Sequence, residues 1–281
     1  MAGARSGGER ATATTGAAAA LAGTGTGEAP REGVRLIDKP AGMSSHAVVA
    51  AVRRALGGVK TGHAGTLDPF ATGLLLVLIG RATKSQSELM ALRKRYVTVA
   101  RLGASSTTGD PEGEVSATGR VPPDPPRLPV GEISQRPPRY SAVKIAGERA
   151  YKRARRGEDF EPEPRTVTVY RFEQLWREAG AGDGLEGLPR AGFAIECGSG
   201  TYVRALIADL GDAYCLELRR TAIGPFDVRD ACAPPARGQQ WLDPPLIELS
   251  LALELARADA GAGAATGARA DAEAEPQRRP H

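Results

Sequence analysis

Gly62-His63-Ala64-Gly65-Thr66-Leu67-Asp68-Pro69 is the stretch around which this chain of 281 residues is organised. Its glycines allow tight turns or a close approach of the backbone to a ligand, and Pro69 pushes Asp68 away from helical conformation. The apolar run Leu74–Ile79 follows and predicts a short buried strand. We therefore expect Asp68 on a bent loop beside a rigid strand, a common setting for a catalytic carboxylate. A plain turn, in which Asp68 only bonds its own backbone, stays open as the alternative.

The segments around this loop predict an α+β domain. Ser44 and Ser45 can cap a helix, and Thr201 is the expected N-cap of a second helix. Residues 121–138 contain seven prolines and predict a stiff linker or surface excursion. Strands separated by helices and long loops favour a mixed, largely antiparallel sheet. A period of two predicts strands in Tyr96–Leu102, Thr166–Phe172 and Phe193–Cys197.

The composition gives no indication of a membrane protein or a metalloprotein. Hydrophobic residues make up 41% of the chain and charged residues 25%, and no apolar run approaches membrane-spanning length. Cys197, Cys215 and Cys232 are far apart and form neither a zinc motif nor a disulfide framework, which favours a reducing cytoplasm. The three histidines are equally unsuited to a metal site. We expect no cofactor and no metal.

Four segments are predicted along the chain. Residues 1–30 are mostly Ala, Gly and Thr without hydrophobic periodicity, which predicts a disordered leader. Residues 31–228 carry the periodic elements and form the predicted main domain. Residues 229–260 are a short C-terminal segment, and residues 261–281, again rich in Ala, Gly and charge, predict a disordered tail.

Basic residues suggest a polyanionic partner. Between Arg136 and Arg156 there are eight Lys or Arg and one acid, Glu148, although a solvated face without a ligand is the alternative. Lys94-Arg95-Tyr96 places an aromatic ring beside two cations at a strand entrance, which suits single-stranded nucleic acid. Taken alone, Tyr96 is more typical of a half-buried strand residue.

Arg204 falls in the first turn of the second predicted helix. The helix dipole disfavours a cation at that end, so we expect Arg204 to pair with a carboxylate. A surface arginine without such a partner is the alternative. The preceding Gly198-Ser199-Gly200-Thr201 segment runs from a strand to the helix start, where free backbone amides can bind anions.

Together these segments resemble the TruB family of pseudouridine synthases, which isomerise uridine 55 in the T arm of tRNA. The matches occur in family order across roughly residues 34–228, and chance agreement of so many segments is negligible. The resemblance implies a pseudouridine-synthase-like fold and a reaction without cofactor. The matching segments are Lys39–Ser45, Gly62–Gly73, Lys94–Tyr96, Pro137–Lys144, Gly200–Arg204 and Leu218–Arg220.

The resemblance also implies roles for single residues. Asp68 matches the catalytic aspartate, which attacks C1′ of the ribose or takes a proton from C2′, and the sequence leaves both routes open. Arg204 matches its partner and is expected to lower the pKa of Asp68. Tyr96 matches the tyrosine that stacks on the uracil, and its hydroxyl is a candidate for removing the C5 proton.

The resemblance further implies contacts to the substrate: His63 beside the displaced nucleotides, and Tyr202 and Leu218 in the uridine pocket. Expected RNA contacts are Lys39, Lys144, Arg153, Arg155 and Arg156.

The chain departs from the family pattern in several places. The proline-rich residues 121–138 replace a helical segment before Tyr140, so we expect a shortened RNA-gripping insertion. The link between Leu210-Gly211 and Leu218 is short and lacks the family's glycine-histidine element. Thr107 stands where the family commonly has an acid. Only about fifty residues follow Asp227, so the family's C-terminal RNA-binding domain is expected to be absent or vestigial.

The expected partner is tRNA, bound by a cytoplasmic monomer without a membrane or a guide RNA. Two alternatives stay open: a tRNA-binding or tRNA-folding protein with little catalysis, and a guide-dependent synthase within a ribonucleoprotein. Asp68, Tyr96 and Arg204 argue against the first as the sole function, because binding alone does not need them. The missing C-terminal domain argues against the second.

Overall fold

The computed structural model describes residues 32–145, 147–182, 184–237, 241 and 245–272. The predicted leader, residues 1–30, lies outside these ranges, and so do residues 273–281 of the predicted tail. The remaining residues assigned to that tail, 261–272, have helical backbone at the end of the last helix. No helix in the described ranges is both long enough and apolar enough to cross a membrane.

The helices and strands follow one another along the chain with short connections. The strands are β1 (Gly33–Lys39), β2 (Thr61–Ala64), β3 (Thr72–Ile79), β4 (Lys94–Leu102), β5 (Ala104–Ser106), β6 (Val115–Ala117), β7 (Gly131–Gln135), β8 (Lys144–Ile145), β9 (Glu148–Arg149), β10 (Arg165–Glu178), β11 (Arg190–Cys197), β12 (Ala213–Ile223) and β13 (Phe226–Asp227). The α-helices are α1 (Ser45–Ala55), α2 (Gln86–Ala91), α3 (Ala150–Arg155), α4 (Val203–Ala208) and α5 (Leu249–Ala272). Two short 3₁₀ helices cover Gly80–Ser85 and Val228–Asp230.

Within the described part of the chain, nine strands form one mixed sheet. Its order is β1-β3-β12-β4-β11-β10-β7, with β2 also pairing β3 and β13 also pairing β12. Neighbouring strands are antiparallel except β12 and β3, which run parallel where Arg219 lies beside Thr72. The predicted α+β class with a mixed, largely antiparallel sheet is confirmed. Two small hairpins, β5-β6 and β8-β9, lie outside this sheet.

The apolar run in β3 is buried because helices cover both of its faces. On one face Val48 and Val52 of α1 pack in a cluster with Leu75 and Val77. On the other face, the α5 segment around Ala252 packs with the alternate residues of the strand. The predicted cap of α1 is also confirmed, since the Ser44 side chain accepts a hydrogen bond from the Ala47 amide at 3.1 Å.

Two local predictions are wrong. Tyr202, and not Thr201, is the N-cap of α4, and no side chain bonds the free amides there. The proline-rich segment 121–138 is not only a stiff linker or surface excursion, because its proline-free part forms β7, which pairs with β10 in the main sheet. β7 is an edge strand that ends just before Pro137, so it does not need the amide groups that proline lacks.

The sheet opens next to β3, and this opening positions the candidate site. β2 pairs with the second half of β3, at Leu76–Ile79, whereas β12 pairs only with Thr72 and Gly73 at its start. The loop 65–71 leaves the sheet between β2 and β12. Asp68 therefore lies in the gap between β2 and β12, the two strands that pair with different halves of β3.

Candidate active site

The loop that carries Asp68 is anchored on both sides of that residue. The Ser45 hydroxyl donates to the Leu67 carbonyl at 3.1 Å and accepts from the Leu67 amide at 2.9 Å. The Pro69 carbonyl accepts from Lys39 Nζ at 3.1 Å and from the Gly42 amide at 2.8 Å. These bonds fix the backbone immediately before and after Asp68, so the position of its carboxylate is set by β1 and the start of α1.

Arg204 links this loop to two other segments. Its Nε donates to Asp68 Oδ2 at 2.8 Å. One terminal nitrogen donates to the Thr108 carbonyl at 2.5 Å and lies 3.1 Å from Asp110 Oδ2, and the other donates to the Tyr140 carbonyl at 2.9 Å. The Arg204 side chain is 3% exposed, whereas Asp68 is 34% exposed. The predicted carboxylate partner of Arg204 is thus Asp68, and the arginine lies behind an aspartate that faces solvent.

Asp110 is a second acid of the site that no sequence motif indicated. It is 3% exposed and accepts hydrogen bonds from the Thr108 hydroxyl at 2.5 Å and from the Glu112 amide at 3.0 Å. Asp110 also lies at ion-pair distance from Arg204, so this arginine has two acidic partners. The sequence held one signal for it: a buried arginine has five N–H donors, more than one carboxylate can satisfy.

The pKa of Asp68 reflects a competition between burial and charge. Burial raises this pKa, while the charge and hydrogen bond of Arg204 lower it and the charge of Asp110 raises it again. The net direction is upward from the ordinary value. The prediction that Arg204 leaves this pKa lowered is therefore wrong in its net direction, although the contribution of Arg204 has the predicted sign.

Tyr96 and Leu218 belong to the same apolar cluster as the loop. Leu218 on β12 is 7% exposed and packs in the cluster with Leu67, next to Asp68, and with Val203, next to Arg204. Tyr96 on β4 packs against this cluster while remaining partly exposed. Burial raises the pKa of the Tyr96 hydroxyl, which keeps it protonated at neutral pH. Asp68, Arg204, Tyr96 and Leu218 therefore lie together at the opening of the sheet.

The backbone of Tyr202 is held by Gln135, which no sequence motif indicated. The Gln135 carboxamide donates to the Tyr202 carbonyl at 3.1 Å and accepts from the Tyr202 amide at 2.8 Å. Gln135 is 1% exposed at the end of β7. This paired bond resembles one step of a β-ladder and fixes the backbone at the start of α4, two residues before Arg204.

Comparison with known proteins identifies the family. A model of the N-terminal domain of the TruB family pseudouridylate synthases matches residues 53–203. The chain belongs to the TruB family. It is 46% identical over 215 residues to tRNA pseudouridine synthase B of Nocardia farcinica and 42% identical over 220 residues to that of Cutibacterium acnes. Each alignment covers 72% of this chain. It covers 68% of the Nocardia protein and 71% of the Cutibacterium protein.

Two further comparisons give the extent of the likeness. The tRNA pseudouridine synthase B of Ectopseudomonas mendocina is 44% identical over 208 residues, and the match spans 70% of this chain and 65% of that relative. Among solved structures, a crystal structure of a Cbf5-Nop10-Gar1 complex matches 70% of this chain and 50% of its own chain, with 33% identity and a TM-score of 0.50. The resemblance found in the sequence is confirmed, together with the pseudouridine-synthase-like fold.

His63 of this TruB-family chain lies on β2, at the edge of the site. Its ring packs edge-on against His46 with 5.4 Å between ring centroids, and its carbonyl accepts from Gln86 Nε2 at 2.8 Å. Burial, helped by the charges of His46 and Arg220, lowers the pKa of His63 to about 4. His63 is therefore neutral at physiological pH.

Lys39 is not placed to contact RNA, contrary to the prediction. It is fully buried, and its Nζ donates to the carbonyls of Pro40 at 2.8 Å, Met43 at 2.6 Å and Pro69 at 3.1 Å. Burial lowers its pKa to about 8. All three ammonium hydrogens are used inside the protein, so Lys39 anchors the Asp68 loop instead.

The other predicted RNA contacts, Lys144, Arg153, Arg155 and Arg156, fall into two groups. Arg153 and Arg156 both pair with Glu158, and Arg156 also pairs with Glu148. Lys144 and Arg155 are exposed, and among the residues that the structure describes no carboxylate pairs with either. Arg155 instead lies over the Tyr151 ring, 5.5 Å from its centroid. Only Lys144 and Arg155 of the predicted RNA contacts present unneutralised charge.

Proposed function

We propose that this chain converts uridine 55 in the T arm of tRNA to pseudouridine, as an isomerase that needs neither a cofactor nor a guide RNA. The observation that carries this proposal is the ion pair between Asp68 and Arg204, buried on the arginine side and open on the aspartate side. A purely RNA-binding protein has no need of a half-open carboxylate held in this way. The names of the TruB-family relatives support tRNA as the substrate.

In the proposed reaction the uracil leaves C1′ of its ribose, rotates and rejoins through C5. Asp68 either attacks C1′ or removes a proton from C2′, and both steps require the ionised carboxylate. Arg204 bonds Oδ2, and no described group bonds Oδ1, which leaves that oxygen available to the sugar. Arg204 thereby favours the ionised form and orients the carboxylate with a single contact.

The other site residues are proposed to receive the flipped nucleotide. A uridine in a folded arm can reach Asp68 only after it is turned out of the stack. Tyr96 stacks on the uracil and its hydroxyl helps to remove the C5 proton, while Tyr202 and Leu218 line the pocket. The neutral ring of His63 packs beside the nucleotides that the flipping displaces.

The proposed setting is a cytoplasmic monomer that binds the T arm through the exposed cations Lys144 and Arg155. The three cysteines are free thiols, which agrees with a reducing compartment. Arg204 donates to the Tyr140 carbonyl, four residues before Lys144, and also to Asp68. RNA bound at Lys144 therefore lies close in the chain to a residue that contacts the partner of Asp68.

Release of tritium from C5-labelled uridine tests this function. An unmodified tRNA transcript incubated with the protein alone is expected to release one equivalent of tritium per tRNA. Replacing uridine 55 by cytidine is expected to abolish release, and continued release would refute the position. Tight binding without release would identify a binding protein, and release only after addition of a guide RNA would identify a guide-dependent synthase.

The salt dependence of tRNA binding is expected to separate the two groups of cations. Replacing Lys144 and Arg155 with glutamine should weaken binding and reduce the slope of log affinity against log salt by about 1.5, because about 0.7–0.9 is lost per phosphate contact. Replacing Arg153 and Arg156 should change the slope less, since Glu158 pairs with both and Glu148 also pairs with Arg156, so that two carboxylates balance the two cations. Filter binding from low to high salt measures both.

The matched control for this experiment is Arg190→Gln, which removes a cation paired with Glu178 at the opposite end of β11 from Cys197. Its slope should equal that of the unmodified protein. Equal slope losses for the two double variants would contradict the assignment, because they would show that the pairing with acids does not mask Arg153 and Arg156.

A further inference from the structure

Arg220 is a second buried arginine beneath the site, and it has no described acidic partner. It is 1% exposed, and its guanidinium donates to three backbone carbonyls: Leu74 at 2.8 Å, Gly65 at 3.0 Å and Thr66 at 3.4 Å. Within the described ranges, no carboxylate lies at ion-pair distance from it. Its charge is therefore balanced by carbonyl dipoles, two of which belong to the loop that carries Asp68.

The side chain of Arg220 fills the opening between β2 and β12. Its own backbone lies beside Gly73 of β3 on one side and Tyr96 of β4 on the other. Gly73 has a φ of +102°, and a Cβ atom there would lie 2.2 Å from the Arg220 carbonyl oxygen. Only glycine lets the backbones of β3 and β12 come this close. At this distance the Arg220 guanidinium reaches the carbonyls of Gly65 and Thr66 in the Asp68 loop.

Packing alone does not explain an arginine at this place. Removing a cation from water costs several kcal/mol, and an apolar side chain of similar volume would fill the same space without that cost. Gly65 and Thr66 stand three and two residues before Asp68. Ser45 and Lys39 hold Leu67 and Pro69, the two residues that flank Asp68, and neither bonds Gly65 or Thr66, so Arg220 adds the restraint on the first part of the loop.

We propose that Arg220 is a positioning residue for the isomerisation: it holds the Gly65 and Thr66 carbonyls and thereby sets Asp68 against Tyr96. This inference rests on the proposed function, because it takes Asp68 and Tyr96 as the reacting pair. The charge of Arg220 also opposes the effect of burial on the pKa of the Tyr96 hydroxyl, which agrees with a guanidinium close to that ring. Arg220 itself is too buried to touch RNA.

The test compares Arg220→Gln and Arg220→Lys with the neighbouring control Arg219→Gln. Arg219 is 39% exposed and pairs with Asp38, and successive strand residues point to opposite faces of the sheet. Single-turnover tritium release per folded molecule is expected to fall about 100-fold in Arg220→Gln, the order of loss that a remote 1 Å misplacement causes. Arg220→Lys should lose about 10-fold, because it keeps the charge but cannot reach all three carbonyls. The tRNA affinity should change less than about twofold in all three variants, since none removes a proposed RNA contact.

Hydrogen exchange of peptides covering residues 62–71 gives a readout that does not depend on catalysis. The loop should exchange faster in Arg220→Gln than in Arg219→Gln. A folded Arg220→Gln protein with unchanged loop exchange and a rate within threefold of the unmodified protein would overturn the proposal. Failure of both Arg220 variants to fold would also overturn it, because the residue would then serve folding. If the unmodified protein released no tritium, the proposed function would fail, and loop exchange would still decide whether Arg220 holds the loop.

Discussion

Asp68→Asn is expected to abolish pseudouridine formation and to leave tRNA binding intact. The amide can neither attack C1′ nor accept the C2′ proton, so either route loses its reacting group. We expect the single-turnover rate to fall by at least on the order of 10⁴-fold. The carboxamide oxygen can still accept the hydrogen bond from Arg204, so the shape of the pocket is kept. Tritium release and filter binding on the same preparation measure the two properties.

The stability of this variant provides an internal check. Burial raises the pKa of Asp68 above its value in the unfolded chain. Stability from this group is fully present below the unfolded pKa and is lost as the pH rises through the folded pKa, so the ionised carboxylate opposes folding at pH 7. A neutral amide removes that cost, and the unfolding midpoint should not fall. A lower midpoint would mean that the attraction to Arg204 outweighs burial.

Asp209→Asn is the matched control, because Asp209 is an exposed aspartate directly after the helix that carries Arg204. Its rate and affinity should both stay within about twofold of the unmodified protein, as is usual for surface substitutions. Residual turnover of Asp68→Asn above about 1% of the normal rate would contradict the assignment of Asp68 as nucleophile or base. A parallel loss of tRNA binding would show instead that the carboxylate serves recognition.

The elements of the fold were predictable where local pattern determines them. The continuous apolar run of β3 and the serine cap of α1 are local signals, and both were read correctly. β7 was missed because prolines on either side of it hide a short edge strand that needs only one partner. The opening between β2 and β12 could not be predicted, since it depends on the register between Arg220 and Gly73, which are far apart in sequence.

The residues of the site could be predicted only where they belong to a family motif. Asp68 and Arg204 are 136 residues apart in the sequence, and only the family resemblance predicts that they are in contact. Lysine is usually exposed, so the sequence predicts an RNA contact at Lys39, whereas in the fold three carbonyls stabilise its buried ammonium. The charge pattern predicts Arg153 and Arg156 as free cations, but a count of charges along the sequence does not show that Glu158 pairs with both and that Glu148 also pairs with Arg156 in the fold.

Arg204→Gln should have the second largest effect on activity, with a rate lower by about 10³-fold, within the range seen when one preorganised electrostatic partner is removed. It also leaves Asp110 buried without its cation, which should cost about 3–5 kcal/mol of stability. The contributions of Arg204 that lower the pKa of Asp68 disappear, while that of Asp110 which raises it remains. The acid limb of the rate profile should therefore move to higher pH. Rates measured from about pH 5 to 9 and thermal unfolding check both effects.

A double variant, Arg204→Gln with Asp110→Asn, separates the effect of Arg204 on the reaction rate from its effect on stability. The second change removes the unpaired buried charge, so stability should be largely restored, and it also removes one contribution that raises the pKa of Asp68. The acid limb should move part of the way back, yet the maximal rate should stay low, because Asp68 Oδ2 still lacks the Nε–H that orients it. Recovery of the maximal rate together with stability would show that Arg204 acts only by keeping the three segments folded. A rate that stays low in a stable double variant would require Arg204 to orient Asp68 in the reaction itself.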